Sequence, residues 1–141
     1  MILLIVEDNE LQAELFRRNL RHFLGEIDLR TATTIGEAVA MIPAANVVLL
    51  NLNLPPDSPW KDTLGVLARH AEAWPPVVCV TAHGERENTK RLALAAGAED
   101  FITKEHANVD PVALADKLWL AWARRHRSAL NPAPSRHESA A

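Results

Sequence analysis

Short runs of apolar residues alternate along this chain with longer stretches in which apolar positions recur at helical spacing. The apolar runs predict strands over Ile2–Val6, Asp28–Ala32, Val47–Asn51, Val77–Thr81 and Asp100–Thr103. The first, third and fourth are continuously apolar, as strands covered on both faces should be. The longer stretches predict helices near Glu10–Phe23, Ile35–Ile42, Pro59–Ala73, Arg86–Ala96 and Pro111–Arg127. Boundary chemistry supports them: Thr34-Ile-Gly-Glu37 is a capping-box pattern, Pro43 closes the second helix, Ser58-Pro59 suits a helix start, and Gly97 suits the position just past a helix end. Regular alternation of this kind is the mark of successive βα units around a parallel sheet, hence an α/β fold.

A length of 141 residues suits one domain, expected over residues 1–128. From Asn131 the chain has too few apolar side chains to repay ordering, and a flexible tail is expected over 129–141. The formal charge of -3 argues against nucleic acid as the main partner, since phosphate neutralisation needs a basic face. The local exception, Arg124-Arg125-His126-Arg127, sits where cations complement the negative end of a helix. Cys79, the only cysteine, lies in an apolar strand and reads as a core residue. The apolar start is cut off by Glu7-Asp8, too soon for a signal segment or a membrane span, so a cytoplasmic protein with no membrane contact is expected.

In an open α/β sheet, ligands bind beyond the carboxyl ends of the strands. Here the first strand runs into Glu7-Asp8, the third ends in Asn51 with Asn53 and Pro55 beyond, the fourth gives Thr81-Ala82, and the fifth gives Thr103-Lys104. Two adjacent carboxylates at one strand end repel each other, and a hard cation such as Mg2+ relieves that repulsion. Lys104 and Thr81 could ion-pair with and donate a hydrogen bond to phosphoryl oxygens, and the small Ala82 would leave room for the group.

As a set, these residues resemble the receiver domain of bacterial two-component response regulators. The motifs are Ile-Leu-Leu-Ile-Val-Glu7-Asp8-Asn, Val-Val-Leu-Leu-Asn51-Leu-Asn-Leu-Pro55, Val-Thr81-Ala82-His-Gly, Ala-Gly97-Ala and Phe101-Ile-Thr-Lys104, and the match spans about residues 2–127. The resemblance implies a flavodoxin-like, doubly wound (βα)5 fold whose five-stranded parallel sheet has the order 2-1-3-4-5. It implies that Glu7 and Asp8 hold Mg2+ with the backbone carbonyl of Asn53, that Thr81 is the switch hydroxyl and Lys104 the phosphoryl-binding lysine, and that Phe101 is the aromatic switch on the partner face. It also implies a signalling role exercised through a sensor histidine kinase or a phosphotransfer protein, with no enzymatic output of its own.

Two positions depart from that pattern. Asn51 stands where the family carries its phosphoacceptor aspartate, and Glu105 follows Lys104 where the family often has proline, which makes a cis peptide there less expected. A carboxamide cannot attack phosphorus: its nitrogen lone pair is delocalised and its oxygen carries no full charge. The crevice then holds two carboxylates and one ammonium instead of three carboxylates and one ammonium, so Mg2+ binding should weaken. The amide oxygen could still ligate a metal or accept a bond from Lys104. Three explanations stay open: a naturally degenerate receiver acting as a binding module, an Asp-to-Asn exchange in a phosphorylatable one, or phosphate taken up by Asp57 in Pro55-Pro-Asp57-Ser-Pro59.

On the last predicted helix, Leu114, Leu118 and Ala121 share a face, and Ala115, Trp119 and Trp122 widen it toward half the circumference. So wide an arc suits a homodimer or partner contact, with Trp119 the exposed ring and His126 at its edge, or else both tryptophans cover the core. Trp60 and Trp74 read as packing residues and His83 as a loop residue. The alternative of a small α/β enzyme or nucleotide-binding protein meets two objections: the first strand leads into Glu-Asp-Asn-Glu instead of a glycine-rich cradle, and no Gly-x-Ser-x-Gly elbow occurs. A stand-alone receiver would deliver its output by binding.

Overall fold

A computed structural model describes residues 1–54, 60–82 and 87–130. Its strands are β1 (Ile2–Val6), β2 (Asp28–Ala32), β3 (Val47–Asn51), β4 (Val77–Thr81) and β5 (Asp100–Thr103), all at the bounds the apolar runs predict. They pair in parallel in the order β2-β1-β3-β4-β5, the flavodoxin-like arrangement expected. Every residue of β3 and β4 is buried, which is why these segments carry no polar alternation.

The helices are α1 (Glu10–Leu24), α2 (Ile35–Met41), α3 (Trp60–His70), α4 (Glu87–Ala95), α5 (Lys104–Val109) and α6 (Pro111–Leu130). Side chains alternate across each strand, so the sheet feeds two separate cores. Leu3, Ile5, Leu49, Val78, Val80 and Ile102 pack under α1 and α6 through Phe16, Leu20, Leu114 and Leu118. Leu4, Val6, Val48, Leu50 and Cys79 pack on the other face with Ala38, Leu64, Leu67 and Ala93 from α2, α3 and α4. Cys79 is wholly buried, and that burial pushes its thiol pKa up to about 12, in keeping with a core role.

Several boundaries differ from the sequence reading. The chain carries an additional short helix, α5, because Thr103 ends β5 and also caps the next turn, its hydroxyl accepting from the His106 N–H at 3.0 Å. Lys104 and Glu105 are thus the first helical residues. The second helix ends at Met41 and tightens into a 3-10 turn over Ile42–Ala44 that contains Pro43. Its capping box is offset by one residue: Thr34 accepts from the Glu37 N–H, while the Glu37 carboxylate reaches back to both the N–H and hydroxyl of Thr33 at 2.8 Å. The third helix stops at His70, and α6 continues to Leu130, two residues past the expected boundary at 128. Ser58-Pro59 and residues 131–141 lie outside the described residues.

Gly97 closes α4 as expected. Its N–H bonds to the Leu94 carbonyl at 3.1 Å and that of Ala98 to Ala93 at 3.0 Å, the paired bonds of a Schellman end. Its φ of 115° favours glycine, and a Cβ there would collide with that of Ala71. Among the described residues no helix is long and apolar enough to cross a membrane.

Candidate functional site

The parallel register sets Val6 beside Leu50, Asn51 beside Val80, and Thr81 beside Thr103. The residues just past β1, β3, β4 and β5 therefore meet at one edge of the sheet. Three of them are deeply buried for polar groups: Glu7, Asn51 and Thr81. Such burial is costly unless partners are supplied.

Asn51 is the hub. Its side-chain nitrogen donates to the Asn53 carbonyl at 2.7 Å and faces Glu7 Oε2 and Asp8 Oδ1, each at 3.2 Å. Its Oδ1 accepts the Asn53 N–H at 3.0 Å. These partners fix the orientation of the amide. The reverse orientation would turn its oxygen toward three acceptors and its NH2 toward an N–H.

Glu7 divides its two oxygens. Oε2 takes the Asn51 amide and the backbone N–H of Asn9, the latter at 3.1 Å, while Oε1 lies 3.0 Å from Lys104 Nζ. The Lys104 ammonium forms an ion pair with this buried oxygen. Burial raises the Glu7 pKa, against the lowering pull of the Asn9 N–H and of Lys104, and Asp8 adds to the rise. Lys104 thus pairs with Glu7, whereas the sequence left it free to bond to the oxygen of Asn51. The Asn51 oxygen accepts the Asn53 N–H.

Asn9 is a participant that the sequence reading missed. It caps α1, accepting from the Gln12 N–H at 2.9 Å, and turns its own N–H onto Glu7. An asparagine immediately before the first helical glutamate was the legible signal.

The oxygens of Glu7, Asp8 and Asn53 are the donor chemistry that suits a hard divalent cation. Among the described residues no group of three or more His, Cys, Asp or Glu could hold a metal, so a cation here would need carbonyl or amide oxygens to complete its shell. The point on which the three oxygens converge is taken by the Asn51 amide nitrogen, a donor with no lone pair to offer.

Thr81 ends β4 in a buried position, with Ala82 exposed beyond it. Phe101 is buried in the core beneath α4 and does not lie on the surface. On α6, Leu114, Ala115, Leu118 and Ala121 are buried and Trp122 packs partly against them, while Trp119 is 47% exposed. The two rings thus differ in burial while touching each other, and His126 stacks on the ring of Trp122 instead of lying at the edge of Trp119. Trp74 is a core residue and Trp60 packs at its edge. Arg125 is pinned to Glu99 at 3.0 Å and to the Trp74 carbonyl at 3.3 Å, a structural use of one member of the basic cluster. Pro55, Asp57 and His83 lie outside the described residues.

The family description "Response regulator receiver domain" matches residues 3–116. The fold is similar to the signal receiver domain of a protein assigned as a Luxo repressor from Vibrio parahaemolyticus, with a TM-score of 0.78 and 24% identity over 94% of this chain and 97% of that one. It is also similar to a CheY-like response regulator receiver domain protein from Methanospirillum hungatei JF-1, with a TM-score of 0.73 and 24% identity over 90% and 97% of the two chains. At these identities the structural likeness shows the fold alone. No curated protein matches the chain.

Proposed function

Since this chain belongs to the response regulator receiver domain family, and so to two-component signal transduction, we propose that it signals through protein contacts without forming an aspartyl phosphate at position 51. The observation that carries this reading is the Asn51 side chain itself. It occupies the phosphoacceptor position, has no nucleophilic oxygen, and has both ends of its amide engaged within the pocket.

The neighbouring residues keep roles that suit a receiver. Glu7, Asp8 and the Asn53 carbonyl are the oxygens that would hold Mg2+ once Asn51 released them, and the cation would then supply positive charge against the carboxylates and against phosphoryl oxygens; with Asn51 in place that binding is weakened. Lys104 supplies a fixed ammonium, and Thr81 a hydroxyl at the adjacent strand end. Phe101, the second residue of β5, packs into the core with Ala93 of α4 and is the proposed aromatic switch. With Asn at 51, none of these groups can stabilise an acyl phosphate there, so the surface presented to partners is set by the resting fold. Those partners are a sensor histidine kinase, a phosphotransfer protein, or a second copy of the chain meeting it at α6 through Trp119. Receiver domains are signalling modules, and binding is the output proposed here too.

The test is incubation with a small phosphodonor and Mg2+, followed by intact mass measurement and peptide mapping. No stable adduct is expected on the protein as it stands, and an adduct of one phosphoryl group that hydroxylamine and alkali remove is expected on Asn51→Asp. A phosphorylated wild-type chain, at Asp57 or elsewhere, would overturn the proposal.

A further inference from the structure

We propose that the Asn51 carboxamide nitrogen stands in for the divalent cation, so that the acidic pocket is assembled and stable without metal. The inference rests on the receiver reading of Glu7, Asp8 and Asn53 and adds a statement about how this particular pocket is regulated.

The argument starts from the oxygens. Glu7 Oε2, Asp8 Oδ1 and the Asn53 carbonyl come from two different strand ends and converge on a single nitrogen at 3.2, 3.2 and 2.7 Å. Left without a donor, two carboxylate oxygens and a carbonyl so close together would repel and splay apart. The two protons of the amide, one on the near carbonyl and one shared between the carboxylates, supply the positive potential that holds them together.

Charge and geometry agree. Among the described residues two carboxylates and one ammonium leave one net negative charge, and the second oxygen of Glu7 already faces Lys104 at 3.0 Å. An aspartate at position 51 would instead bring a third carboxylate against the other two and leave two net negative charges. Only then does the pocket require an added cation to close. The amide also grips Asn53 from both sides, accepting its N–H and donating to its carbonyl, so the first turn of the loop after β3 is held by the residue that would otherwise compete for it. A metal entering this site must first break the donor contacts of Asn51, and rotating the amide to offer oxygen would set its NH2 against the Asn53 N–H.

The experiment compares wild type and Asn51→Asp by thermal unfolding and titration calorimetry, in EDTA and across a Mg2+ series at constant ionic strength. The wild-type midpoint should move by less than about 1 °C, with no saturable heat of Mg2+ binding. Asn51→Asp should unfold at a lower temperature in EDTA and regain about 3 °C or more, saturably, as Mg2+ rises to ten times its dissociation constant. Should Asn51→Asp fail to fold without metal, the wild type alone still decides the matter. Its Asn51 side-chain amide proton signals should be protected from exchange and unmoved by 10-fold increments of Mg2+. A saturable Mg2+ response of the wild type, in midpoint, heat or those amide signals, overturns the substitution while leaving the receiver reading intact. A response from neither chain also overturns it, and takes the assignment of Glu7 and Asp8 as cation ligands with it.

Discussion

Replacing Asn51 by alanine removes the donor that faces two carboxylates and a carbonyl, and leaves a fully buried Glu7 with one fewer partner. Burying such groups without their bonds costs about 1 to 3 kcal/mol, more for charged ones, so Asn51→Ala should lose about 3 kcal/mol in urea unfolding. Lys104→Met tests the other oxygen of Glu7. The Lys104 side chain is 18% exposed and that of Glu7 is wholly buried, so removing the ammonium leaves a buried charge uncompensated, and a loss of roughly 3 kcal/mol is expected. Unchanged stability in both variants would mean that the pocket is open to water and that the bonds around Asn51 do not hold it. At this scale the sequence told which residues meet, because each sits just past a strand, but not how they pair. Lys104 pairs with Glu7 while the Asn51 oxygen takes the Asn53 N–H, and a short-range bond between a side chain and the backbone leaves no trace in composition.

The elements were legible wherever one signal dominated. The central strands β1, β3 and β4 were legible because strands covered on both faces are near-continuous apolar runs, with polar residues only at their carboxyl ends, whereas helix ends depended on single caps. The short α5 was missed for that reason: Thr103 serves β5 and α5 at once, and six residues show no helical period. Gly97 is the cleanest test of a terminus. Alanine there must adopt a φ of 115° and drive its methyl group into Ala71, which combines backbone strain with overpacking; a loss of roughly 2 to 4 kcal/mol by denaturant unfolding is expected. A loss no larger than that of an ordinary surface exchange would mean that the close approach of α4 to Ala71 relaxes freely. The cap of α2 makes a pH prediction. The Thr33 N–H and hydroxyl hold the Glu37 pKa below its ordinary value near 4.5, so its folded form prefers the charged state. The stabilisation is present above about pH 4.5 and is lost as pH falls through the lowered folded value. Glu37→Gln should therefore be less stable than wild type at pH 7, and the difference should shrink on acidification toward pH 3; an equal difference at both pH values would detach Glu37 from the acid sensitivity of the fold.

At the scale of the whole molecule, strand order cannot be read from periodicity, since any order of five apolar strands would show the same runs; it came from the resemblance carried by the strand-end motifs. What periodicity did expose is the excess of apolar surface on α6, and the fold divides that excess in two. Trp122 lies partly against the core beneath α1 and α6, whereas Trp119 stands half exposed at a groove of about 450 Å3 that it lines with Phe23, Leu24, Val112, Ala115 and Asp116. Trp119 touches Trp122 at a ring separation of 5.0 Å, worth at most about 1 kcal/mol to the fold. Trp122→Ala should thus cost roughly 2 kcal/mol of stability, and Trp119→Ala at most about 1. If α6 is where a second copy binds, the order reverses for association. Sedimentation over a concentration series should show Trp119→Ala shifting the monomer–dimer equilibrium by tenfold or more, as truncation of a central aromatic anchor does. A wild-type chain that stays monomeric at high concentration, or a Trp119→Ala chain that associates as before, removes the self-contact from α6 and leaves the exposed ring for the kinase or phosphotransfer partner.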